Sequence, residues 1–278
     1  VTGENTLQLS QKSTDNQKDG LLFGGKIIAD GEDLHNHGRI LAKQNLRFEL
    51  GAVTNQGLLY SAGNAELQAK QLDNHGSIAS NQLQLGGEQL RNDGQISGKT
   101  QLTFDLERLD NRGQIHSEQN ISGSIGTLEQ SGLLASQGNL QLKLQQLNQQ
   151  HPDATLFARN RLSLAVENAV QQRGTIAAGG ALDFQAARLE NYGNLFGGTT
   201  TFKLQEQLDN HGTISAKTTQ KIDATTINNQ GTLASEGSQH IQGGQLNNSG
   251  ELVAASENLT LDRLDNSGSI RQTGSGAL

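Results

Sequence analysis

The 278-residue chain has no cysteine, no methionine and no tryptophan, a single proline (Pro152), and aromatic side chains at only 3% of positions. Without cysteine it has neither a disulfide framework nor a thiolate metal site. No run of 18 apolar residues occurs, so nothing reads as a transmembrane helix. The first twenty residues, VTGENTLQLSQKSTDNQKDG, lack the apolar stretch of a signal peptide, and any export signal is expected outside this sequence, which reads as an excerpt from something longer. Positive charge is also short. Lys and Arg total 21 against 28 Asp and Glu, and the net charge of −7 repels phosphate backbones and anionic lipid, which argues against a nucleic-acid partner. With so few aromatics, any core has to be built from small aliphatic side chains.

What the chain has in abundance is glycine, 34 of them, and many fall on a regular grid. Gly38, Gly57, Gly76, Gly94, Gly113, Gly132, Gly174, Gly193, Gly212, Gly231, Gly250 and Gly268 stand 18 or 19 residues apart, except for one gap of 42 between Gly132 and Gly174. Ala154 stands near the middle of that gap, where a glycine is expected, and Gly20 marks a degenerate unit before Gly38. Two residues before the glycine comes asparagine: Asn36, Asn55, Asn74, Asn92, Asn111, Asn191, Asn210, Asn229, Asn248 and Asn266, with Gln130 and Gln172 in the remaining two units. The residue two before that, such as Leu72 or Leu208, is aliphatic in every unit, as is the residue two after the glycine, such as Ile78 or Ile214.

A spacing of two puts these side chains on one face of an extended chain, because neighbours along a strand point to opposite sides. A helix would need spacings of three and four, and a glycine every 19 residues would break it repeatedly. Each unit therefore reads as two or three short strands joined by corners, and stacked units make a parallel β-solenoid of about 13 or 14 coils. One coil alone cannot bury enough apolar surface to offset its ordering entropy, so stability has to come from neighbouring coils. Residues 1–19 are expected to form a degenerate coil or edge, and 20–278 a continuous solenoid with an irregular coil near 149–154.

In phase with the aliphatic positions, the asparagine column is expected to face inward, where stacked amides hydrogen-bond from coil to coil, since a buried amide must find partners. The glycine column suits either a corner with positive φ or a backbone packed too closely for a Cβ. The position between Asn and Gly points outward, so His37, His75 and His211 read as solvated corner residues; they are not in adjacent coils and do not converge on a metal. His35 and His37 share a strand, too little for a zinc or nickel site. Asp73, Asp110, Asp209 and Asp265 are scattered, with no calcium repeat among them. Phosphate-loop patterns are absent. His151 and Asp153, in the irregular stretch with the only proline, are too few for an active site. Thr199 to Thr201 and Thr218 with Thr219 prompt a test for an ice-binding array, but threonines do not recur in register in the sequence. No catalytic, cofactor or metal residues are expected.

Units such as LDNHGSIASNQLQLGGEQL, LDNRGQIHSEQNISGSIGTL and LDNHGTISAKTTQKIDATTI resemble the haemagglutinin repeats of the filamentous haemagglutinin family, from about Gly20 to the end. The resemblance fades in the first 20 residues and in residues 149–154. It implies a right-handed parallel β-helix, all-β, exported through an outer-membrane transporter of the two-partner type and displayed at the bacterial surface. It further implies a non-catalytic stalk that presents an adhesive or toxin-delivery module to other cells, as in adhesins and contact-dependent growth inhibition effectors, with receptor contacts made by regions outside this sequence. The alternative is a β-helix that binds or cleaves carbohydrate along one flank.

Overall fold

In a computed structural model, residues 5–275 are described, and among them every regular element is a β-strand and every pairing is parallel. The chain divides between Gly138 and Asn139 into two compact units, each a parallel β-solenoid.

In the first unit the strands Leu21–Asn36, Arg39–Asn55, Leu58–Asn74, Ser77–Asn92 and Gln95–Asn111 each run 16 or 17 residues and pair with the next in order. Straight strands of that length would span roughly 55 Å at about 3.3 Å per residue, so each must bend, and the burial pattern marks where. In Leu58–Asn74 the inward residues fall in three runs, Leu59 with Ser61, then Ala65, Leu67 and Ala69, then Leu72 with Asn74, separated by exposed stretches at the corners. Three inward faces per coil is the upper of the two values the sequence allowed. Equivalent positions stack in columns: Phe48, Leu67, Leu85 and Phe104 pair successively and are essentially fully buried. The column Val53, Leu72, Leu90 and Leu109 does the same. Strands Thr6–Ser10 and Ser13–Asn16 pair with Leu21–Asn36 and form the first described coil of this unit. Of the expected degenerate stretch 1–19, residues 1–4 lie outside the described residues.

The second unit begins with shorter strands, Leu140–Gln149, Thr155–Ala158, Arg161–Val166, Val170–Gln172 and Thr175–Ala178. Between Gln149 and Thr155 the ladder is interrupted. Pro152 has no N–H to give to a neighbouring coil, and the segment folds on itself, with the Ala154 amide donating to the His151 carbonyl at 3.1 Å. Regular coils resume with Ala181–Asn191, Asn194–Asn210, Thr213–Asp223, Thr226–Asn229, Thr232–Asn248 and Glu251–Asn266. Phe184 and Phe202 are buried side by side, their ring centroids 5.9 Å apart and tilted by 32°.

The corner after each asparagine is held by the coil beneath. The amides of His75 and Gly76 both donate to the Asn55 carbonyl, at 2.8 and 3.0 Å, and Ser77 donates to Gly57 at 2.9 Å. A Cβ on Gly57 would lie far inside contact distance of the Gly38 carbonyl oxygen, and on Gly212 of the Gly193 oxygen. None of the grid glycines has positive φ; that conformation belongs to glycines elsewhere, such as Gly87 at 128°. Close stacking of backbones, the second of the two explanations, therefore accounts for the column.

Candidate functional site

The groups with the most organised chemistry are the stacked amides. In the first unit the Nδ2 of Asn16 donates to Oδ1 of Asn36 at 2.7 Å, Asn36 to Asn55 at 2.8 Å, Asn55 to Asn74 at 2.7 Å, Asn74 to Asn92 at 2.8 Å and Asn92 to Asn111 at 2.9 Å. Asn111 then donates to Gln130 Oε1 at 3.1 Å. In the second unit Gln172 donates to Asn191, which donates to Asn210 at 2.7 Å; Asn210 donates to Asn229 and Asn229 to Asn248, both at 2.8 Å, and Asn248 to Asn266 at 2.7 Å. All donors point one way along the stack. The same Nδ2 groups reach a backbone carbonyl of the overlying coil, as from Asn74 to Gln95 at 3.1 Å. The asparagines from Asn36 to Asn248 are essentially fully buried, whereas Asn266, in the last coil described, is exposed.

Two members of this column escape the sequence motif. Asn16 lies four residues before Gly20 instead of two, and Gln149 lies five before Ala154, so neither reads as N-x-G. Both are buried. Gln149 gives its Nε2 to the carbonyls of Ala154 at 2.9 Å and Thr175 at 3.1 Å and not to Gln172. The Oε1 of Gln172 is consequently buried without a partner, and the Oε1 of Gln149 is buried without one as well. The column is broken at the irregular coil.

The outer flank carries paired charges. Arg112 holds Asp110 at 2.8 Å, and this hydrogen bond, with the carboxylate's field, raises the guanidinium pKa above its ordinary value. Asp93 takes Arg91 at 2.9 Å and His75 at 3.2 Å. Asp73 accepts from Gln71 at 2.8 Å, Asp209 from Asn228 at 2.7 Å, and Asp265 pairs with Arg263 at 2.9 Å. His37 lies 3.1 Å from Gln56 Oε1, and His211 stacks on Tyr192 with centroids 4.6 Å apart, with Arg173 over the other face of that ring. The Tyr192 hydroxyl donates to Glu190, which pushes its pKa up. Among the described residues no three His, Asp or Glu side chains are grouped to hold a metal. An open polar groove of about 470 Å³ is lined in part by Asp209, Asn228, Asn247 and Asp265.

Threonines do recur in register, contrary to the sequence reading. Thr155 pairs with Thr175 and Thr213 with Thr232 in one half-buried column, with Asn194 between the two pairs. The irregular coil and the Asn194 step hid this from the linear spacing. The parallel column two residues on holds Phe157, Ala177, Phe196, Ser215 and Ala234, so no double row of hydroxyls forms.

Comparison with known proteins decides the family. The haemagglutinin repeat model matches residues 1–155, 152–223 and 212–274. The chain belongs to the haemagglutinin repeat family. Among curated proteins it is similar to the tRNA nuclease CdiA of Yersinia mollaretii, 40% identical over 77 residues, which is 27% of this chain and 3% of that protein. The chain thus spans a small fraction of the relative's length. No solved structure matches.

Proposed function

We propose that this chain is a non-catalytic structural segment of a secreted bacterial exoprotein, a stalk of stacked haemagglutinin repeats that presents an adhesive or toxin-delivery module to other cells. The observation that carries this reading is the coil-to-coil interface. Each regular coil meets its neighbours through the same amide, glycine and aliphatic columns, so coils are interchangeable units of length. The haemagglutinin family and the partial similarity to a CdiA protein support export through an outer-membrane two-partner transporter, display at the cell surface, and a role in contact-dependent growth inhibition or adhesion. Any nuclease activity would belong to another part of such a protein.

The test is removal of one whole coil, residues 58–76, from the full exoprotein, which joins Gly57 to Ser77 in the existing register. Surface display is expected to persist, with target-cell adhesion or inhibition retained or changed only in reach. Loss of activity from a displayed protein would refute the stalk reading. The groove beside Asp209 and Asp265 favours the second reading, carbohydrate binding along one flank; a glycan array with a reducing-sugar assay separates the two, since sugar ends would be released only by an enzyme.

A further inference from the structure

The second unit contains another interior polar column, which the repeat motif does not announce. Leu182, Thr200, Gln220, Gln239 and Glu257 are register partners in successive coils. The equivalent column of the first unit, Ile27, Leu46, Ala65, Leu83, Leu102 and Ile121, is apolar throughout. Thr200, Gln220 and Gln239 are 1%, 0% and 0% exposed, and Glu257 is half-buried.

The hydrogen-bond polarity of this column constrains Glu257. Gln220 Nε2 donates to the carbonyls of Ile214 at 3.1 Å and Ala234 at 3.4 Å, which turns its Oε1 toward Gln239. Gln239 must answer that oxygen with its Nε2. Its own Oε1 then lies against the Glu257 carboxyl, 2.6 and 3.1 Å from the two oxygens. Turning Gln239 round would give the carboxylate a donor but set two amide oxygens together at Gln220. Turning Gln220 as well would aim its oxygen at two backbone carbonyls. With Glu257 ionised and seated on this column, each orientation of the two amides therefore leaves acceptor facing acceptor, and one proton on the carboxyl, donated to Gln239 Oε1, removes the conflict.

We propose that Glu257 is a proton-dependent latch: protonated, it seats its coil on the glutamine column, and ionised, it releases strand Glu251–Asn266 from the coil beneath. Burial independently pushes this carboxyl up to about 7 from 4.5, with no neighbouring charge contributing. The charged groups on the packed strands face solvent: Lys217, Lys221 and Asp223 on one, Glu236 and His240 on the next, Asp262, Arg263 and Asp265 on its own. Arg271 of the covering strand pairs with Glu251 at 3.5 Å. The folded state holds the proton more tightly than the unfolded state, so stability is highest below about 4.5, falls as pH rises through the interval to about 7, and levels above it.

The test uses the whole chain. The Glu257 carboxyl carbon, followed by NMR, is expected to titrate near neutrality. Hydrogen-exchange protection in Glu251–Asn266, corrected for intrinsic rates, should drop about tenfold or more between roughly pH 5.5 and 8. In Glu257→Gln the side-chain amide donates permanently to Gln239, and the pH dependence should vanish; in His240→Gln it should remain. Titration in the ordinary carboxylate range, or an equal pH response in Glu257→Gln, would overturn the proposal. If Glu257→Gln disturbs the coil at every pH, the wild-type titration still decides.

Discussion

Replacing Asn210 by leucine tests the amide column where its geometry is most complete. Asn210 is 0% exposed; its Oδ1 accepts from Asn191 at 2.7 Å, and its Nδ2 donates to Asn229 at 2.8 Å, to the Thr232 carbonyl at 3.1 Å and to Gly212 at 3.2 Å. Leucine removes all four bonds. The Nδ2 of Asn191 keeps only the Thr213 carbonyl at 3.5 Å, the outer limit of a hydrogen bond, and Asn229 Oδ1 loses its donor. Two buried groups left short cost about 1–3 kcal/mol each, and leucine's apolar burial returns about 1.5–3 kcal/mol. The expected net loss is about 1–3 kcal/mol. With a urea slope of about 2–3 kcal/mol/M, the unfolding midpoint falls by roughly 0.3–1.5 M. Asn210→Asp is the directional control. It can accept from Asn191 but has nothing to donate to Asn229 when ionised, so it should cost more than leucine at neutral pH and recover in acid. An unchanged midpoint for Asn210→Leu, or an aspartate variant as stable as wild type at neutral pH, would show that the column does not carry coil stacking.

Gly212→Ala places a Cβ against the Gly193 carbonyl and is expected to cost about 1–3 kcal/mol in the same assay. Gly244→Ala meets the Thr225 oxygen at 3.1 Å and Asp262 Oδ2 at an ordinary contact of 3.7 Å, and should be nearly neutral. Thr200→Val removes a buried hydroxyl that has no partner and should leave the thermal midpoint unchanged or raise it, by up to about 1 kcal/mol of stability. Arg91→Gln, which breaks a half-buried surface pair with Asp93, should change stability by less than about 1 kcal/mol and lose most of its effect at high salt. Fragments of three or four regular coils are expected to show lower urea midpoints than the whole chain, because each coil draws stability from its neighbours; equal midpoints would show that coils fold independently.

The solenoid was legible because its interior is written at a spacing of two and repeated nearly without error. Leu72, Asn74 and Ile78 announce both the strand period and the face. Where the linear distance between equivalent residues changed, legibility failed. Asn16 and Gln149 sit in the amide column but are four and five residues from the glycine position, because extra backbone there loops out before the corner. The threonine column was hidden because Asn194 interrupts it and the step from Thr155 to Thr175 crosses the irregular coil. The column ending at Glu257 was missed on other grounds: glutamine in this chain is common on exposed faces, and only the register with Leu182 and Thr200 shows that Gln220 and Gln239 point inward.

Unequal coils also explain how such a stack keeps its register. The intervals of 18 residues, ending at Gly38, Gly94 and Gly268, are each one short, and the missing residue is taken from the same place. Gly24 to Lys26 lies opposite Ala42 to Asn45, Ser80 to Gln82 opposite Ser61 to Asn64, and Ala254 to Ser256 opposite Ser235 to Ser238. Each is the corner a few residues beyond the glycine, just past a buried residue such as Ser61, Ser80 or Ala254, and neither the asparagine column nor the aliphatic columns beside it change register. An aliphatic interior alone would tolerate a slip of two residues, since leucine replaces leucine. A slip of two at the asparagine would seat its amide against an aliphatic side chain and leave donor and acceptor unpaired, at about 1–3 kcal/mol for each group. The amide column thus makes the whole coil the smallest unit that can be added or removed without loss, which is the property a segment of adjustable length requires.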